Sequence, residues 1–132
     1  MQIQISNQPG RVPVTIFHIV GDIDTHTYLQ LEAEARAAHA AGARNIVLDL
    51  AHVGYVSSAG IRAINAIYNL LRTEEPAESD EAVRRGINAG TYKSPHLKLA
   101  QLNPRVNEAL KIAGVDMFLD FQPDIDSAVA SF

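Results

Sequence analysis

The chain has 132 residues, 47% of them hydrophobic and 20% charged, with a formal net charge of -4 at pH 7. That length bounds a single globular domain able to bury roughly two thirds of the surface its unfolded chain exposes. The acidic balance argues against direct nucleic-acid binding, which relies on clustered Lys and Arg, and the absence of cysteine excludes a disulfide framework, a zinc-thiolate centre and thiol catalysis.

The first seven residues lack the basic region and apolar core of a signal peptide. No apolar run approaches the ~20 residues a membrane span requires, so a cytoplasmic protein without a membrane span is the expectation. Residues 2–6 alternate polar and apolar, residues 7–10 supply turn chemistry, and residues 12–20 form a β-branched run of period two. Together they predict a hairpin, with Pro13 marking an unpaired position or an edge. The run Gly21-Asp-Ile-Asp24 ends the second strand. Residues 25–41 then predict a helix with Leu31, Ala35 and Ala38 inward and Gly42 as its stop. Residues 44–50 are nearly continuous in apolar side chains, as in a strand buried on both faces.

That strand leads into Val53-Gly-Tyr-Val-Ser-Ser-Ala-Gly-Ile61, a small, hydroxyl-rich turn opening a helix predicted over 58–72. Ile61, Ile64, Ile67, Tyr68 and Leu71 give that helix an apolar stripe at helical spacing, which reads as core. Ser57 and Ser58 stand at its start, where unpaired N–H groups and the positive end of the helix dipole favour a hydroxyl or a phosphate. Residues 73–96, acidic at first and then containing Arg84, Arg85, Gly86 and Gly90, read as a long mobile surface insertion. Residues 97–102 predict a strand. Asn103-Pro104 is a cap followed by proline at the first helical position, and Gly114 stops that helix. Residues 115–121 predict a short strand or turn, and 124–132 a final helix. Two strand-helix-strand crossovers imply a parallel or mixed sheet, an α/β fold in one domain, 1–132.

Several constellations carry less. Asp22 and Asp24 without a third nearby ligand read as a solvated turn, so no metal and no cofactor are assigned. Histidines 18, 26, 39, 52 and 96 invite a serine-hydrolase reading with Ser58 and Asp49, yet the turn lacks the Gly-x-Ser-x-Gly elbow. No phosphate-binding glycine loop is present. Tyr55 either packs under the turn or lies on a binding surface, where an exposed aromatic makes a good anchor.

Four pieces in order, Gly21-Asp-Ile-Asp24, Ile46-Val-Leu-Asp-Leu50, Val53 to Ile61, and Asn103-Pro-Arg-Val106 with Leu110 and Gly114, resemble the STAS domain of bacterial anti-sigma factor antagonists. The resemblance covers nearly all of the chain outside 73–96. It implies a mixed β-sheet of four to five strands packed with about four α-helices. It also implies an anti-anti-sigma factor whose partner is an anti-sigma factor or switch-protein serine kinase, with a cognate phosphatase, and which is not an enzyme. The family's usual motif is Asp-Ser-Ser/Thr-Gly-Leu. Aligned on Gly60, Ser58 takes the phosphoacceptor position, Ser57 replaces the aspartate, Ala59 the second hydroxyl residue and Ile61 the leucine. The expected partner face comprises Asp24, Thr25, Tyr55, Ser57, Ala59 and Arg62, with Ser58 as acceptor and Ser57 as the alternative. Two other readings stand beside this one: a constitutive STAS scaffold or transport-complex subunit without phosphorylation, and a small serine hydrolase.

Overall fold

The computed structural model describes residues 1–132. Strands β1 (Gln2–Pro9) and β2 (Pro13–Val20) form the expected hairpin and pair antiparallel, with Pro9 opposite Pro13 at its mouth, where neither residue can donate to the ladder. Chain order then runs α1 (Tyr28–Ala40), β3 (Ile46–His52), α2 (Ser58–Leu71), a 3-10 turn (Pro76–Glu78), α3 (Asp80–Ala89) and β4 (Leu97–Ala100). It ends with α4 (Pro104–Ile112), a second 3-10 turn (Val115–Met117), β5 (Asp120–Gln122) and α5 (Ile125–Ala130). The five strands lie side by side in sequence order, and β2 to β5 are parallel, so the sheet is mixed. The edges are β1 and β5. Pro13 therefore marks the start of an interior strand rather than an edge.

Period-two alternation divides the sheet's side chains between two faces. Phe17, Ile19, Ile46, Leu48, Leu50, Leu97 and Leu99 meet the apolar sides of α1, α2 and α4 in the larger core, where all are essentially inaccessible. On the opposite face α5 packs over a smaller apolar cluster of Val14, Ile16, Val47 and Ala100. The C-terminal half of β2, with its neighbours on β1 and β3, is thus left without a helix over it and presents polar side chains together with the exposed Val20. No helix is long and apolar enough to cross a membrane.

The segment read as a loop insertion carries a fifth helix. Ser79 caps α3 by accepting from Ala82 N–H at 3.2 Å, Asp80 and Glu81 complement the dipole in its first turn, and Gly90 closes it in the left-handed conformation at φ 73°. Tyr92 then packs against Gly86, whose absent Cβ would stand 2.4 Å from the Tyr92 Cβ, and its hydroxyl meets that of Tyr68 at 2.9 Å. Glu78 is buried and accepts from the Thr73 N–H and hydroxyl at 2.7 and 2.8 Å.

Candidate functional site

The start of α2 is shaped by its attachment to the loop after β2. Gly21 N–H donates to His52 O at 3.1 Å, Ile23 N–H to Tyr55 O at 3.0 Å and Ser57 N–H to Ile23 O at 2.9 Å, so the two loops run as a short parallel ladder beyond the sheet. At Gly60 a Cβ would lie 2.4 Å from Ile23 O and 2.8 Å from Val56 Cγ1. Only glycine lets α2 start this close to the neighbouring backbone.

The two serines have different surroundings. Ser57 is the N-cap, with extended backbone, and its Oγ accepts from Gly60 N–H at 3.3 Å, filling one of the helix's orphan donors. Ser58, the first helical residue, is exposed. Its hydroxyl stands at the positive end of a 14-residue helix without an acidic side chain in the first turn.

Around them, Asp24 Oδ1 accepts from His26 N–H at 2.9 Å, and Asp24 O accepts from Thr27 and Tyr28 N–H, so this residue holds the turn that leads into α1. Thr27 donates its hydroxyl to Asp22 O at 2.7 Å. Asp24 is half-buried, while Thr25 and Arg62 are exposed. Tyr55 is 43% exposed, and the guanidinium of Arg105, at the start of α4, lies 5.7 Å over its ring. Asn103 fixes that helix beside the turn: its Oδ1 accepts from Val106 N–H and its amide donates to Val53 O, both at 2.8 Å. Arg105 escaped the sequence reading, although the Asn103-Pro104 cap directly before it located the helix start. Ala59 is only 4% exposed, so it supports the turn from below and presents no surface.

The hydrolase constellation does not form around Ser58. His18 and Asp49 pair with each other on the face of the sheet covered in part by α5, whereas α2 belongs to the other face. His96 hydrogen-bonds Asn45 at 2.9 Å, His26 is exposed in the turn before α1, and His52 is exposed at the end of β3.

A family model described as the STAS domain matches residues 3–75, more than half of the chain. A Bordetella bronchiseptica protein named "Putative anti-sigma factor antagonist BtrV" is 29% identical over 112 residues, spanning 85% of this chain and 80% of that protein. Among solved structures, an anti-sigma factor antagonist from Mycobacterium paratuberculosis superposes with a TM-score of 0.72 at 19% identity, over 98% of this chain and 92% of that one. The Bacillus cell fate determinant SpoIIAA in its phosphorylated form does so with a TM-score of 0.60 at 16% identity, over 97% and 96%. With the matched region running from β1 through the serine turn and α2, this chain belongs to the STAS domain family.

Proposed function

We propose that the protein is an anti-sigma factor antagonist that binds an anti-sigma factor or switch-protein kinase through the surface around the serine turn and is released from it when Ser58 is phosphorylated. It acts by protein binding rather than catalysis, and regulates transcription indirectly, in the cytoplasm. The observation that carries this reading is the division of labour between the serines: Ser57 Oγ is engaged as the helix cap, and Ser58 stands exposed one residue further on. The names of the similar proteins support the partner class.

The switch follows from charge and place. Transfer of the ATP γ-phosphoryl group to Ser58 Oγ, with ADP leaving, adds about -1.5 to -2 charges and three acceptor oxygens. At a helix N-terminus the group meets N–H donors and the favourable end of the dipole, so the fold tolerates it. A partner packed on Tyr55, Asp24, Thr25 and Arg62 meets a bulky dianion in the middle of its contact surface and is expelled. Ser57 replaces an aspartate found in the family's usual motif, and serine caps helices about as well as aspartate does.

Incubation with the cognate switch kinase and ATP, read by intact mass and peptide mapping, tests this. One phosphate on Ser58 is expected, retained in Ser57→Ala and absent in Ser58→Ala. A protein that takes up no phosphate on either serine while still binding its partner is a constitutive scaffold, and the switch reading fails.

A further inference from the structure

Outside the serine turn, three side chains have the connectivity of a nucleophilic relay. Gln4 and Ser6 of β1 and His18 of β2 project from the α5 side of the sheet, and the parallel register places Asp49 of β3 beside His18. His18 Nδ1 lies 2.8 Å from Asp49 Oδ2, and His18 Nε2 lies 2.9 Å from Ser6 Oγ. An ionised carboxylate can only accept, so Nδ1 donates to Asp49, and in the neutral tautomer that this leaves, Nε2 is the acceptor for the Ser6 hydroxyl.

The carboxylate is held from behind. Asp49 Oδ1 accepts from Ala51 N–H at 3.1 Å and from the Gln101 amide at 2.8 Å. Gln101 reaches it from a left-handed backbone conformation, φ 60°, the one such residue in the chain other than glycine. Burial pushes the Asp49 carboxyl up, but the hydrogen bonds from His18, Ala51 and Gln101 outweigh it and hold the group below the usual carboxylate range. Ser6 is exposed, and a depression of about 420 Å³ lined by Gln2, Gln4, His18, Val20, Asp49 and His52 opens beside the imidazole.

We propose that Ser6 is an activated nucleophile that accepts an acyl group from a small activated ester. Ser6 Oγ attacks the carbonyl carbon as His18 Nε2 takes its proton; the ester C–O bond breaks and the leaving oxygen recovers that proton, leaving acyl-Ser6. The rate is limited by one missing element. Thr15 N–H donates to Asn45 O, so the Asn7–Thr15 pair is not hydrogen-bonded and the adjacent Ser6–Ile16 pair is. The Ser6 N–H is therefore spent on β2 and cannot receive the oxyanion. A donor of that kind is worth roughly 10²–10³ in rate, and its absence slows acylation and deacylation alike, so the reaction is slow and the acyl group on Ser6 is long-lived.

p-Nitrophenyl acetate supplies the test. The wild-type protein should release about one equivalent of p-nitrophenolate and carry one acetyl group on the peptide containing Ser6. Ser6→Ala should lose that label, and His18→Gln should slow it by about 10²-fold, the usual scale of a positioned general base. Ser6 left unlabelled, or labelled at the same rate in His18→Gln, overturns the proposal. Because Ser58 takes no part, either outcome leaves the partner-switch reading to its own test.

Discussion

Ser57 and Ser58 are neighbours whose hydroxyls face different constraints, and substitution should separate them. Ser57→Ala removes the acceptor for Gly60 N–H and should cost about 1 kcal/mol of stability in urea unfolding, while phosphorylation at Ser58 continues. Gly60→Ala should be worse. Its Cβ would collide with Ile23 O, a backbone atom held by the Ser57 N–H, so a cost of about 1–3 kcal/mol is expected together with weaker partner binding, because the serine turn itself must move. Cap chemistry is local, and for that reason the start of α2 and the Asp24 turn were legible from the residues alone. The inward direction of Ala59 was not, since which side of a helix's first turn is buried depends on how the whole helix docks. Nor was the stacking of Arg105 on Tyr55, which joins two turns far apart in sequence. The Ser6–His18–Asp49 chain was hidden for a similar reason: His18 and Asp49 were singled out, but the serine they meet depends on hairpin register.

At the scale of elements, the helix α3 within residues 73–96 shows what a compositional reading overlooks. Acidic residues and glycines suggested solvated loop, yet the cap at Ser79, two acids in the first turn, Val83 and Ile87 at helical spacing and Gly90 as terminator together specify a helix. What ties it down is aromatic. Tyr92 and Tyr68 meet edge to face with ring centres 6.4 Å apart, their hydroxyls hydrogen-bonded in the interior. Tyr92→Phe strands the buried Tyr68 hydroxyl and should cost about 1–3 kcal/mol, whereas Tyr68→Phe combined with Tyr92→Phe should recover most of that loss. Only Val83 of α3 is buried, so amide exchange through residues 80–89 is expected to proceed by local opening, well before β3 exchanges. Equal protection of the two would place α3 within the cooperative core.

For the whole molecule, two buried groups shape stability at the extremes of pH. Asp49 is depressed in the folded state, so its contribution is present above the ordinary unfolded carboxylate value near ~3.9 and is lost as pH falls through the lower folded one. Tyr92 is pushed far above its usual range, by burial first and by the hydrogen bond to Tyr68 second. Its contribution is therefore intact below the unfolded tyrosine value near ~10 and declines as pH rises beyond it. Chemical denaturation from pH 2 to 11 should show a plateau between these limits, and Tyr68→Phe with Tyr92→Phe should flatten the alkaline side. The architecture itself, an antiparallel hairpin continued by parallel strands with most helices on one face, was readable because strand and helix periodicities alternate cleanly outside 73–96.

The central claim is that negative charge on Ser58 expels a protein partner from an otherwise intact surface. Calorimetric titration of the anti-sigma factor with unphosphorylated and Ser58-phosphorylated protein measures it directly. The account predicts binding by the unphosphorylated form and at least a tenfold loss, about 1.4 kcal/mol or more, on phosphorylation with unchanged thermal unfolding. Equal affinity of the two forms would contradict it.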